Sequence, residues 1–333
     1  MNEKEETLMN RTFTRLTQAL LATLLCTAAW AQTDAERIPA TIKLVVPFAP
    51  GGSNDVIARA IAPGLAKRLG TTIIIDNKPG AAGSIGADAV AKGPKDGSIL
   101  LLTSSTLVTS AATMPRTTPF DVNTAFAPLA LIGQGPMLLA VSATTPIKTP
   151  ADFVAAARSN PGAISYGTAG PGSIAHMSSE MLAEAAKIQM LHVPYKGAAP
   201  ALLDLASGQI QMMVSNYSSI VAQIKAGRVR PLAVTSRTAS PSFPDLPPMG
   251  NLAPGFSAEI WVAVFAPAGT PAALVQRLNR EINEAARQPE VKALLEADGT
   301  LPVALPPAEV AARIREDFAA WKKIAVAKNI SAE

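Results

Sequence analysis

A chain of 333 residues, 48% hydrophobic and only 16% charged, can bury a large core and is long enough for two units rather than one. The formal charge of +4 is mild and its carriers are scattered, with Arg228/Arg230 and Lys322-Lys323 as the densest groupings and no aromatics between them. Nucleic acid is therefore excluded as a partner, since its footprint is a basic patch or stripe, and no charge block or low-complexity run points to disorder.

At the N-terminus, Arg11 and Arg15 precede an apolar run from Ala19 to Trp30, and Ala29-Trp30-Ala31 puts small residues where a signal peptidase reads. The run is shorter than the ~20 apolar residues of a membrane span. Residues 1–31 are expected to be an export signal cleaved after Ala31, with the periplasm as destination. Leu25 before Cys26 is too bulky for a lipoprotein site, and the acidic opening Glu3, Glu5, Glu6 suits translation from Met9 better than from Met1. Cleavage removes Cys26, the only cysteine, and with it any thiol nucleophile, disulfide or thiolate ligand. Neither metal nor cofactor is expected, because nucleotide cofactors are scarce outside the cytoplasm.

Beyond residue 41, strand-length apolar runs alternate with helical patterns. Strands are predicted over 42–48, 72–75 and 98–103, with helices over 55–69 and 83–91. Pro63-Gly64 should break or kink the first of these helices. A loop-rich stretch leads to a strand over 137–142. A second series follows: helix 151–158, strand 164–167, helix 173–186, strand 190–195, helix 200–206, strand 210–214, helix 218–225 and strand 229–235. After a Pro-rich loop over 240–254 come a strand over 260–265 and helices over 271–287, 289–297 and 308–328. The pattern predicts an α/β fold with parallel-rich sheets flanked by helices. Residues 32–140 and 258–333 would form one lobe and 141–257 a second, with crossing strands near Leu138 and Val262. Ligands in such folds sit at the carboxyl ends of strands, in the crevice between lobes.

Two strand-to-helix turns are candidates for that crevice. Pro47-Phe48-Ala49-Pro50-Gly51-Gly52-Ser53-Asn54-Asp55 follows the first strand, and Tyr166-Gly167-Thr168-Ala169-Gly170-Pro171-Gly172-Ser173-Ile174-Ala175-His176 holds the matching place in the second lobe. Either alone reads as turn and capping chemistry, with Asp55 and Ser173 as N-caps. One in each lobe, facing a shared crevice, makes an anion clamp. Gly170 to Ala175 fits G-x-G-x-x-A, but the region 192–197 has no carboxylate for a dinucleotide ribose, and residues 50–55 lack a phosphate-cradling Lys-Ser/Thr. Ser104-Ser105-Thr106 could add hydroxyls, and Lys196 is the cation best placed to meet a carboxylate. The turn over 76–86 reads as close packing of helix on sheet. For hydrolysis, Ser173 or Ser53 would need His176 or His192 as base. No G-x-S-x-G elbow occurs, and both histidines read better as packed side chains.

The segments 47–59, 77–97, 166–176, 192–211 and 224–236, followed by APAGTP over 266–271 and LNREI over 278–282, resemble the Bug (TctC-like) family in order and content. These are periplasmic solute-binding proteins of tripartite tricarboxylate transporters. The resemblance implies two α/β lobes of a periplasmic-binding-protein (type II-like) fold joined by crossing strands. It further implies a small carboxylate ligand, a di- or tricarboxylate or aromatic acid, that a monomer delivers to a membrane permease or senses. The resemblance implies contacts from the turns Ser53-Asn54-Asp55 and Thr168 to Ser173, and the expected ligand-binding residues together are Phe48, Gly52, Ser53, Asn54, Asp55, Ser104, Ser105, Thr168, Ala169, Gly170, Ser173, His176, Lys196, Ser215 and Asn216. Asp55 is expected to hold its helix end rather than touch an anion. Many relatives carry an acid in the strand end matching 214–216, and a neutral Ser215 here favours a ligand without an ammonium group. Loops 104–120 and 237–258 are expected to set ligand choice.

Overall fold

The computed structural model describes residues 37–327 and 330; the expected export signal, Cys26 and both candidate starts lie outside them. Two helix-covered mixed sheets form the two lobes. The first sheet contains β1 (Thr41–Val46), β2 (Thr72–Asn77), β3 (Ile99–Ser104), β4 (Phe126–Pro136), β10 (Glu259–Pro267) and β11 (Leu301–Pro302), in the order β11-β4-β10-β3-β1-β2. The second contains β5 (Leu138–Ser142), β6 (Ser165–Thr168), β7 (Leu191–Pro194), β8 (Met212–Ser215) and β9 (Val229–Val234), in the order β7-β6-β8-β5-β9. In each, three parallel strands carry the ligand-side turns, and β10 or β5 runs antiparallel beside them.

Ten helices among the described residues cover these sheets: α1 (Ser53–Leu69), α2 (Ser84–Ala91), α3 (Thr106–Thr113), α4 (Pro150–Ser159), α5 (Ile174–Ala186), α6 (Ala198–Ser207), α7 (Tyr217–Lys225), α8 (Ala272–Ala286), α9 (Pro289–Ala297) and α10 (Pro307–Ala327). Strand alternation divides the core. Leu44, Val46, Leu100 and Leu102 pack with Ile57, Ile61 and Leu65 of α1, while Val45 and Leu101 pack with Ala87 and Val90 of α2. In the second lobe Leu138, Ala140 and Met213 meet Ala201, Leu202 and Leu205 of α6, and Leu139, Val141 and Tyr166 meet Phe153 and Met177.

Two expectations change. The break at Pro63-Gly64 is absent, and α1 runs through it as one helix. Pro63 and Arg59 both face solvent, so the carbonyl that loses its amide donor can turn to water. A Cβ at Gly64 would lie 2.0 Å from Gln288 Oε1 at the start of α9, so a larger residue there has to push that flexible side chain aside. The stretch over 104–136 is not loop-rich: it holds α3 and the eleven-residue β4. The small-residue sequence of α3 (TLVTSAAT) has weak helix propensity, and burial of all eight residues supplies what propensity lacks. The chain crosses between sheets at Met137 and again between Thr235 and Ala258. Buried Thr235 ties the crossings together: its Oγ1 accepts from Met137 N–H at 2.8 Å and donates to Ala258 O at 2.7 Å.

Candidate functional site

A cavity of about 60 Å³ lies between the sheets at the carboxyl ends of β1, β3, β6 and β8. One water occupies roughly 10–15 Å³ by this measure, so the space suits a small acid group rather than a large ligand. Of the anticipated residues, Phe48, Gly52, Ser53, Asn54, Ser104, Thr168, Ala169, Ser173, Ser215 and Asn216 line it. Sequence reading missed Ser219 and the apolar wall of Met137, Ile174, Met213, Val214 and Ile260. Thr106, expected with Ser104 and Ser105 to offer a hydroxyl at the crevice, also lines the cavity. Ser219 carried no signal, because only the approach of α7 to α1 brings it there.

Among the lining residues none is charged. Instead five helices begin at the wall: α1 at Ser53, α3 at Thr106, α5 after its N-cap Ser173, α6 at Ala198 and α7 after Asn216. Each helix N-terminus carries roughly half a positive charge through its unpaired N–H groups, so the cavity attracts an anion without a cation. Ser53 Oγ is buried in this wall with no protein partner. Two other donors are shared across the lobes: Ser53 N–H donates to Ser219 Oγ at 2.8 Å, and Ile174 N–H to Thr106 Oγ1 at 3.2 Å.

Five expected contacts lie elsewhere. Asp55 is the third residue of α1, and Gly52 is the N-cap. The Asp55 carboxylate turns back from the cavity, accepting from Gly51 N–H (2.9 Å), Arg59 Nε (2.9 Å) and Asn77 Nδ2 (3.0 Å), and so fixes the shape of the glycine turn. Burial pushes its pKa up, but these bonds outweigh burial and hold it below the usual carboxylate value. That stabilisation is present above about pH 3.9 and lost as the pH falls through the lowered folded value. Asp55→Ala strands the Gly51 and Asn77 donors and should cost about 2 kcal/mol in urea unfolding, with weaker ligand binding. Wild-type stability in that variant would contradict the assignment.

Ser105 Oγ is buried without a partner but outside the cavity wall. Gly170 and Lys196 line a separate outer groove of about 530 Å³ with Gly80, Ala81, Ala82, Pro171 and Tyr195, so no cation reaches the inner cavity. The turn over 80–83 thus faces this groove while also packing on the sheet, where Gly86 leaves room for Pro47. The loop over 237–258 contributes nothing to the inner wall. His176 lies behind the loop Thr168–Ser173, its Nδ1 accepting from Gly172 N–H at 3.1 Å.

The hydrolase alternative fails on geometry. Ser173 is the N-cap of α5, its Oγ accepting from His176 N–H at 3.3 Å, while His192 Nε2 is 2.7 Å from Thr168 Oγ1. Neither imidazole is bonded to Ser53 Oγ or Ser173 Oγ, so no activated nucleophile is assembled.

Comparison with known proteins agrees with this geometry. Residues 57–330 match the family model described as tripartite tricarboxylate transporter family receptor. BugT of Bordetella pertussis is 35% identical over 297 residues, covering 87% of this chain and 90% of that protein. Two Rhodopseudomonas palustris structures superpose closely: one described with adipate (33% identity, TM-score 0.84, 89% of this chain and 99% of that one) and MatC with bound malate (30%, 0.81, 86% and 99%). Fold, cavity and sequence agree that the chain belongs to the tripartite tricarboxylate transporter receptor family, the Bug-type periplasmic solute-binding proteins.

Proposed function

We propose that this chain is an exported monomer, cleaved after Ala31, that encloses a small carboxylate between its lobes and does not transform it. The observation that carries the reading is the convergence of five helix N-termini on a cavity whose lining has no charged side chain. Ser53 and Asn54 from one lobe and Thr168 to Ser173 from the other would hold the acid group through N–H and hydroxyl donors. Closure would turn on the Met137 and Thr235–Ala258 crossings, exclude water and strengthen each bond. The structures described with malate and adipate make dicarboxylates the first ligands to test. Relatives of this family point to a membrane permease as the recipient, with ligand sensing as a second use of the same closure.

Neutral Ser215 and the absence of any acid from the wall give no counter-charge for an ammonium group. In titration calorimetry, plain dicarboxylates should therefore bind more tightly than amino acids of the same length. A thermal-shift screen with malate, adipate and citrate tests the reading itself. A ligand at 100 times its dissociation constant stabilises by about 2.7 kcal/mol, and Trp261, buried on β10, offers a fluorescence signal. A flat response to a broad acid panel, together with turnover of an ester, would sink it.

A further inference from the structure

Behind the loop Thr168–Ser173 three aromatic rings stack, and none of them lines the cavity. His176 of α5 and His192 of β7 lie face to face with centroids 4.1 Å apart and planes at 18°, and Tyr166 of β6 stacks on His192 at 5.0 Å. Each imidazole supports the loop by a different atom. His176 Nδ1 accepts from Gly172 N–H, so its proton must sit on Nε2, 3.9 Å from Glu180 Oε1. His192 Nε2 meets Thr168 Oγ1 at 2.7 Å, and that hydroxyl also accepts from Gly170 N–H at 3.2 Å. The single Thr168 hydroxyl proton has two acceptors in reach, His192 Nε2 and Gly170 O at 3.2 Å; when it goes to Gly170 O, His192 Nε2–H donates to Oγ1 instead.

The link from Gly172 N–H to His176 Nδ1 requires a neutral ring. A second proton on His176 replaces the lone pair facing Gly172 N–H with another donor, and a second proton on His192 leaves Thr168 O–H only Gly170 O as its acceptor, which changes the hydrogen bonding inside the loop. Two imidazolium rings 4.1 Å apart would also repel, so the first proton opposes the second.

The titratable neighbours are few. Glu180 on α5 takes the Tyr166 hydroxyl of β6, and Asp204, on the α6 helix that also packs against β6, takes the Tyr195 hydroxyl at 2.6 Å. The strand β8 and helix α3, which pack on α5, bring no titratable side chain.

We propose that His176 and His192 are positioning residues for the anion-holding loop, a paired neutral-imidazole brace whose protonation releases the loop and the acid it holds. This rests on the carboxylate reading above. Burial depresses both rings to about 4, with the charge of His176 adding to the effect on His192 and Glu180 opposing it. The brace is therefore intact at neutral pH and lost on strong acidification.

The chain has only two histidines, so long-range ¹H–¹⁵N spectra report each ring directly. At pH 7 both should be neutral, with His176 in the Nε2–H form, and the Gly172 amide should shift together with the His176 titration near pH 4. An Nδ1–H tautomer at His176, or a midpoint near 6.5 with a stationary Gly172 amide, overturns the proposal. Calorimetry with malate and adipate supplies the second arm. At pH 7.5 His176→Leu and His192→Leu should each bind roughly tenfold more weakly, with His176→Asn and His192→Gln recovering most of the loss. At pH 4.0 the wild type should lose about threefold more affinity than the Asn or Gln variants, a ratio in which protonation of the acid itself cancels. Leucine variants that bind like the wild type refute the brace. If neither acid binds the wild type, the carboxylate reading fails, and the ring tautomers decide the brace alone.

Discussion

Gly172→Ala should weaken carboxylate binding on the order of 100-fold while leaving the protein folded. A Cβ at this position, in the second-lobe loop, would lie 2.5 Å from Thr113 Oγ1, 3.1 Å from Met114 Cε and 3.1 Å from Ser110 Cα, all at the end of α3 in the first lobe. The threonine and methionine ends can turn aside, but Ser110 Cα is helix backbone and cannot. The lobes must then stop short of the closed position, and overpacking of this kind costs about 1–3 kcal/mol. The closed state bears that cost and an open state does not, so it falls on binding. Gly172 also sits at φ +73°, where a Cβ adds about 1–2 kcal/mol of backbone strain to the fold as a whole.

Gly227→Ala separates the two effects. It has φ +68° but open space around its Cβ position, so it should lower stability without touching affinity. Urea unfolding with calorimetry on both variants is the measurement. Equal losses of affinity in the two would refute lobe closure as the cause.

A second large effect is expected at Asp298. It follows α9 in the first lobe and is 1% exposed, yet it caps a helix of the other lobe. Its carboxylate accepts from Ser218 N–H (2.5 Å), Ser218 Oγ (3.0 Å) and Asn216 Nδ2 (3.4 Å) at the start of α7. Asn216 and Ser219 of the same turn line the cavity, so Asp298 sets one wall of the site from outside it. Asp298→Ala leaves these donors buried and unpaired and should cost about 2 kcal/mol, with a parallel loss of affinity.

Asp298→Asn should behave in the opposite way. Burial pushes the Asp298 pKa up, and the bonds from Ser218 and Asn216 only partly offset it. A raised carboxyl stabilises the fold fully below about pH 3.9 and loses that contribution as the pH rises through its folded value. The amide keeps an acceptor for Ser218 N–H without a buried charge, so Asp298→Asn should equal or exceed the wild type at pH 8. Unfolding of both variants between pH 4 and pH 8 checks this, and an asparagine variant as unstable as the alanine one would refute it.

Much of this architecture was legible from local chemistry. The alternation of apolar runs with helical stretches specified most of the strands but not their order in the sheets, where β10 and β5 pair antiparallel with both neighbours, and the two glycine turns identified themselves by sitting between a strand and a helix. Ser53, Asn54, Thr168 and Ser173 line the cavity as turn residues at strand ends facing the crevice, while Ser215 and Asn216, which also line it, were expected only from the family resemblance. The errors have a common source in burial. Five of the eight residues of α3, three Thr with Val108 and Ser110, have weak helix propensity, and burial of all eight supports the helix. Pro63 is tolerated because its face of α1 is wet. Lys196 looked like the ligand's counter-charge because charge is visible in a sequence, whereas the N–H groups of five helix ends are not.

By itself the sequence determined the fold class, the two glycine-rich turns at strand ends and the family, since each is written in residue types at short spacing. The tertiary structure alone decided which side chains share a wall. Ser219 and Asp298 reach the site or its support only where the two lobes meet, and His176 and His192 become a pair only when α5 lies against β6 and β7. Such contacts join residues far apart in the chain through packing, and no local pattern encodes a distance that only the assembled lobes define.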